Sequence, residues 1–351
     1  MTTTTTGSPG RRRAAEPDEY DLPTREPRVR SPKAAKVLMG GVFAAWFVGI
    51  GTAGTSVVAY DLPWHVGRTG AVILMIVFAV ALTHRVGGHM RIWGTLATVL
   101  AIAAAIVQLP FLLAAAAAVT AVTAAVWAVL FTRPAPSLAL ALVEYLVAIG
   151  ISLSGTLAVA AWDAPVNYQR FNLVVLGAAL LLSIVLVWNL GAGLHGLGRE
   201  HLAILFGIAV LLVLVLAYAS FVRSHGSRAV TDAIASMIIW MRQTIGGVPR
   251  PVEVFIGFPA IIVGVSMRAR TREGWWIMVF GVLSTSVLAT SLVSPLAFPT
   301  YIALSTLYSV ILGLGVGLVV RRILFPNHAR RATRVVEPER RIEPARLAAL
   351  K

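Results

Sequence analysis

The sequence predicts an all-α fold: a polytopic integral membrane helical bundle of about ten transmembrane helices plus one amphipathic surface helix. Three observations predict it. Ten stretches of nearly unbroken apolar residues fill positions 37–320. Apolar residues make up 58% of the 351-residue chain and charged residues only 13%, about half the charged share of a soluble domain, so the bilayer must act as solvent. The formal charge of +15 is gathered at the ends, with eight Lys/Arg in residues 1–36 and nine in residues 321–351. A nucleic-acid footprint would instead spread its cations along one folded face, so no nucleic-acid partner is expected.

Residues 1–36 combine a Thr repeat, prolines and mixed charge. They bury too little apolar surface to fold, and a disordered, basic, cytoplasmic tail is expected. The first apolar run begins near Val37 and is too long for the apolar core of a cleavable signal. A helix needs about 20 apolar residues to cross a hydrocarbon layer of ~30 Å. On that basis the spans are 37–59, 69–84, 92–109, 111–131, 137–161, 171–190, 202–222, 252–267, 275–294 and 300–320. The second and eighth are short. Only Gln108, Leu109 and Pro110 separate the third from the fourth, which makes that pair a tight hairpin.

Between the seventh and eighth spans, Val230, Ile234, Met237, Ile238, Met241 and Ile245 fall on one helical face. Residues 229–246 are therefore expected to form an amphipathic helix on the outer surface or over the bundle. Asp232 and Arg242 weigh against an eleventh span, at about 2.5–3.5 kcal/mol each near mid-membrane. Residues 321–351 form a second basic tail.

Orientation follows the cations of the short loops. With the leader inside, the inner loops hold Arg85, Arg91, Arg133, Arg199, Arg268, Arg270 and Arg272, whereas the short outer loops hold only Arg68 and Arg170. Both termini are expected in the cytoplasm, with the protein in the cell membrane. The long loop 223–251 runs against the rule with four arginines. Trp64, Trp162, Trp188, Trp275 and Trp276 fall near span ends, where a headgroup belt would place them.

Candidate chemistry is scarce. Glu144 is the carboxylate that lies well inside a span, and Ser152 and Thr156 continue its stripe along the fifth helix. An intramembrane acid is by default a relay or substrate anchor. Ser286, Thr290 and Ser294 line the ninth helix at the same spacing, which suits either a polar solute or interhelical hydrogen bonds. Small residues recur every fourth position in the first helix (Gly41, Ala45, Gly49, Ala53) and the tenth (Ser305, Ser309, Gly313, Gly317). Such ridges allow the close backbone approach that drives helix association in lipid.

Other patterns point to structure. Gly191, Gly193 and Gly196 match a dinucleotide-binding glycine spacing but lie between two spans, with no strand before them and no acid about 20 residues on. The pairs His84/His89 and His195/His201 lack a carboxylate-rich ligand set. The chain has no cysteine, which excludes disulfides, thiolate nucleophiles and Cys-held metals. No cofactor or metal is expected, and no catalytic constellation is present.

The sequence thus favours a non-enzymatic multi-pass membrane protein, a scaffold or subunit of a bacterial envelope-building or cell-division assembly. Its basic tails would meet anionic lipid headgroups and protein partners or a second copy of the chain. The alternative is a secondary transporter or lipid/small-molecule translocator of the ten-helix type. The two halves of the chain show no internal echo, paired Pro/Gly-interrupted helices are missing and ion coupling would rest on Glu144 by itself, which weighs against that alternative. The apolar interior would favour lipid-like cargo.

Overall fold

The computed structural model describes residues 32–58, 63–190, 207, 228–293, 298–325 and 343–350. The expected seventh span, the turn at Gly191, Gly193 and Gly196, His195, His201 and Ser294 lie outside the described residues. The chain divides into two compact units, residues 1–41 and 42–351. Every regular element among the described residues is helical.

The helices are α1 (Pro32–Gly54), α2 (Trp64–Arg85), α3 (Met90–Val107), α4 (Pro110–Leu130), α5 (Leu138–Ala161) and α6 (Tyr168–Asn189). After the undescribed segment come α7 (Arg228–Thr244), α8 (Phe258–Arg268), α9 (Gly274–Ala289) and α10 (Pro299–Leu324). A π-helical turn, Glu253–Gly257, leads into α8, and a 3₁₀ turn, Ser291–Val293, extends α9.

Local sequence sets the boundaries. Pro110 and Pro299 open α4 and α10, where a missing N–H costs nothing and φ is already helical. Ser137 and Asn167 accept from the backbone N–H groups of Leu140 and Arg170, capping α5 and α6. Gln108 closes α3 at φ 55°, which turns the chain straight into Leu109 and Pro110 and makes the expected hairpin.

Seven helices are long and apolar enough to cross a bilayer: α2 to α6, α9 with its 3₁₀ turn, and α10. The fold is therefore an all-helical bundle of a multi-pass kind, with seven such helices among the described residues. Burial orders them into layers. α9 is central, with 78% of its apolar window buried, while α3 is peripheral at 17%.

Close approach of backbones holds these layers together. A Cβ on Gly155 would stand 2.6 Å from the Ala124 Cβ, and one on Gly70 would stand 2.3 Å from the Ala53 backbone nitrogen. The second contact is with main chain, which cannot move aside. Gly70→Ala should therefore force α1 off α2 and lower stability by about 1–3 kcal/mol. The check is a lower unfolding midpoint for the purified variant in detergent.

One expectation changes. Trp162, Trp275 and Trp276 are buried at 0%, 3% and 7% exposure rather than standing in a headgroup belt. Trp162 packs in the core, where its indole N–H donates to the Thr120 hydroxyl. A residue at a span end in sequence can still face the bundle centre. Trp64 and Trp188 are exposed.

The amphipathic segment is a helix, α7, and residues Asp232 to Trp240 along it are all exposed. Arg242 lies over the Tyr301 ring at 5.0 Å, and the Tyr308 hydroxyl donates to the Ile245 carbonyl just beyond the helix. Its apolar face, including Met237 at 61% exposure, is left open by the described residues.

Candidate functional site

Residues 245–252, IGGVPRPV, contain two glycines and two prolines. Proline cannot donate to a helix ladder, and Gly246 takes φ 72°, so this segment stays irregular. Irregular backbone at membrane depth needs protein partners for its polar groups. α10 supplies them: the Ser305 hydroxyl accepts from the Val248 N–H at 3.0 Å, and the Ser309 hydroxyl accepts from the Arg250 N–H at 2.9 Å. Gly247 permits the contact, because a Cβ there would lie 2.7 Å from the Ser305 nitrogen.

The segment therefore descends alongside α10. At 1.5 Å per residue, Ser309 is roughly 15 Å from the Pro299 end of α10 and roughly 22 Å from its Leu324 end. Arg250 meets it near the middle of the bundle. There the Arg250 guanidinium pairs with the Glu253 carboxylate at 2.9 Å. Glu253 is 0% exposed, and its carbonyl lies beside Gly313 of α10.

Glu253 opens the π-helical turn. Pro259 has no N–H to give the Phe255 carbonyl, so the ladder loosens and the Phe258 N–H bonds back to Glu253. Such turns recur at functional sites. The centre is tightly enclosed: a Cβ on Gly257 would meet the Ser284 Cβ at 2.5 Å, and one on Gly313 would meet the Phe258 Cβ at 2.7 Å. Tyr145 packs edge-on to Phe258 at 5.7 Å and donates its hydroxyl to the Val310 carbonyl, not to the acid.

One oxygen of this acid is left over. Glu253 Oε2 is buried without a hydrogen-bond partner among the described residues, as is the Thr306 hydroxyl of α10. A buried carboxylate oxygen with no donor costs free energy unless something occupies it. A proton or a small cation satisfies that requirement.

The sequence placed the intramembrane acid at Glu144 with no base beside it in its own helix. The structure supplies one from far along the chain. Glu144, 4% exposed, takes the Arg346 guanidinium at 2.5 Å on one oxygen and the Arg133 backbone N–H at 2.9 Å on the other. Its carboxylate is thus fully engaged near the Leu138 end of α5.

The remaining candidates do not gather around Glu144. Ser152 and Thr156 donate across to the Thr285 and Leu288 carbonyls of α9. Ser286 bonds back to Leu283, and Thr290 donates to the Asn172 side chain of α6. These residues stitch α9 to α5 and α6.

In α10, Ser305 and Ser309 serve the irregular segment, while Gly313 and Gly317 receive Phe258, Pro259 and Ile262. In α1, Gly49 meets Leu74, Ala53 is buried, Ala45 is half-buried and Gly41 is exposed.

Residues Glu343–Leu350 fill a polar socket at the end of the bundle where α2 and α4 finish. Arg85, 2% exposed, donates to Leu130, Ala345 and Ala348 carbonyls. Its own carbonyl accepts from the Leu350 N–H, and the His84 ring bonds to the Leu347 carbonyl. Arg268 reaches Glu343 at 2.6 Å, donates to the Thr132 hydroxyl and stacks on Trp275 at 3.6 Å.

The Glu253 centre escaped the sequence reading because 252–267 reads as a span with an acid at its rim. The usable signal was the Gly-Gly and Pro-x-Pro pair before a short span. Interrupted, short hydrophobic segments are the pointer to a midplane site. Comparison with protein-family models, curated proteins and solved structures gives no match to this chain.

Proposed function

We propose that this chain is a non-enzymatic, multi-pass translocator of the cell membrane in which Glu253 takes up and releases a proton or small cation. The observation that carries this reading is the buried carboxylate at mid-depth on a broken helix, with Arg250 on one oxygen, the Ser309 hydroxyl beside it, and Oε2 without a hydrogen-bond partner within bonding geometry among the described residues. Intramembrane acids of this kind mark ion pathways. A helix that begins half-way through the bundle, after irregular backbone, is how inverted-repeat carriers build such sites. The proposed orientation puts both termini in the cytoplasm. The tail socket then faces the cytoplasm and the Trp64 end of α2 faces outward.

A second reading, a scaffold or subunit of an envelope-building or cell-division assembly, draws support from α7. Its exposed Ile234, Met237 and Ile238 form an apolar face suited to a partner protein or the membrane surface. The basic segments would meet anionic headgroups in either reading.

Proteoliposomes loaded with a pH-sensitive dye separate the two. Under the translocator reading the wild-type chain dissipates an imposed proton or sodium gradient and Glu253→Gln abolishes this. Glu144→Gln keeps it, since Glu144 anchors the tail. Equal gradient decay in wild type, Glu253→Gln and empty vesicles refutes the translocator and leaves the scaffold.

A further inference from the structure

At the Trp64 end of α2 lies a cavity of about 190 Å³ lined by Trp64, His65, Arg68, Thr69, Val72 and Ala105. Arg68 is 8% exposed, and its Nε and Nη1 are buried with no hydrogen-bond partner among the described residues. Its third nitrogen makes one long contact, 3.4 Å, to the Trp162 carbonyl. The face of the guanidinium is covered by the Trp64 ring at 4.6 Å. No described carboxylate pairs with it. A guanidinium with two idle nitrogens in a buried setting is an unfinished anion site.

The surroundings favour the same charge. Pro63 gives the start of α2 no side-chain hydrogen bond, and Arg68 stands within about one turn of that positive end of the helix dipole. Thr69 gives its proton to the His65 carbonyl, which leaves its oxygen lone pairs rather than a donor toward the cavity. Side-chain donors for an anion therefore come from Arg68 and the His65 ring.

The cavity is also graded along its length. His65, Arg68 and Thr69 make one end polar, whereas Val72 and Ala105 make the other apolar. α3, which contributes Ala105, presents Leu96, Val99, Ile102 and Ile106 outward, with Ile106 at 73% exposure. The apolar end thus borders a face built for lipid chains.

We propose that this cavity binds the phosphate group of an anionic lipid, with the phosphate on Arg68 and the start of the acyl region against Val72 and Ala105. A free phosphate ion shares the headgroup chemistry but has no use for the apolar end. This site is independent of Glu253 and stands or falls separately.

The test uses the full chain, stripped of lipid in detergent, with native mass spectrometry and thermal unfolding as readouts. Phosphatidylglycerol, phosphatidylcholine and inorganic phosphate are added separately to wild type, Arg68→Gln, Arg68→Lys and Arg91→Gln. The expected result is one retained phosphatidylglycerol that raises the wild-type midpoint. Binding should weaken by about tenfold or more in Arg68→Gln, the scale of losing a buried charged hydrogen-bond partner, and by less in Arg68→Lys. Without lipid, Arg68→Gln should melt no lower than wild type, because it removes unsatisfied donors. A merely structural arginine would give the opposite.

The proposal is overturned by a large lipid-free destabilisation in Arg68→Gln, by equal effects of inorganic phosphate and phosphatidylglycerol, or by an equal loss in Arg91→Gln. It is also overturned if Asp61→Asn lowers the lipid-free midpoint as much as Arg68→Gln, since the guanidinium would then serve a carboxylate of its own chain.

Discussion

Arg250→Met is expected to lower stability by about 3–5 kcal/mol, while Arg250→Met combined with Glu253→Leu should cost far less. Removing one partner of a buried pair strands the other charge, whereas replacing both with apolar groups of similar size is often neutral. The pair is asymmetric, which fixes the order of the single variants. The Glu253 side chain is 0% exposed and that of Arg250 is 21% exposed. Losing the arginine strands a fully buried carboxylate. Losing the acid leaves a guanidinium that water partly reaches, so Glu253→Gln should be the milder change. Unfolding midpoints of the three variants in detergent provide the check. If the double variant is as unstable as Arg250→Met, the stranded charge is not the cause. The double variant also separates stability from function: under the translocator reading it is well folded yet passes no ions.

Seven of the ten expected spans were legible as long apolar helices among the described residues, because hydropathy is local and the bilayer imposes one length on every crossing helix. The small-residue ridge of α10 was legible for the same reason, since a one-in-four spacing is visible in any window. What occupies the ridge was not. Ser305 and Ser309 read as packing residues, yet they satisfy the N–H groups of Val248 and Arg250, some 57 and 59 positions away. Glu253 was not singled out, because sequence position gives no depth; the chain from Ile245 to Val252 takes eight residues to reach mid-bundle, with helix starting at Pro251. Glu144 read as an acid inside a span, and its partner comes from 202 positions downstream. A hydrophilic, Ala-rich tail carries no periodic signal for such docking. The buried tryptophans failed for a related reason, because span-end position says nothing about which way a ring points.

The tail socket gives the second large expected effect: Glu343→Ala should lower stability by about 3–5 kcal/mol. Its ion pair with Arg268 is enclosed, with side-chain exposures of 3% and 0%, so the variant removes a buried carboxylate partner of the arginine under the remaining tail. Truncation before Glu343 should cost less than this, because removing the whole segment lets water reach Arg85, Arg268 and Glu144 together. That ordering distinguishes a docked tail from a tail that only rests nearby. A free tail predicts no effect from either change. Arg346→Glu should be costly in the same way, since it sets two carboxylates against each other, and Glu144→Arg introduced with it should recover part of the loss by restoring opposite charges. Thermal midpoints measure the energies, and protease sensitivity beyond residue 325 reports seating directly. Wild type should be protected within Glu343–Leu350, and Arg346→Glu should be cut there at a rate approaching that of an unstructured peptide. Equal cleavage of both would show that the buried arginines are satisfied without the tail.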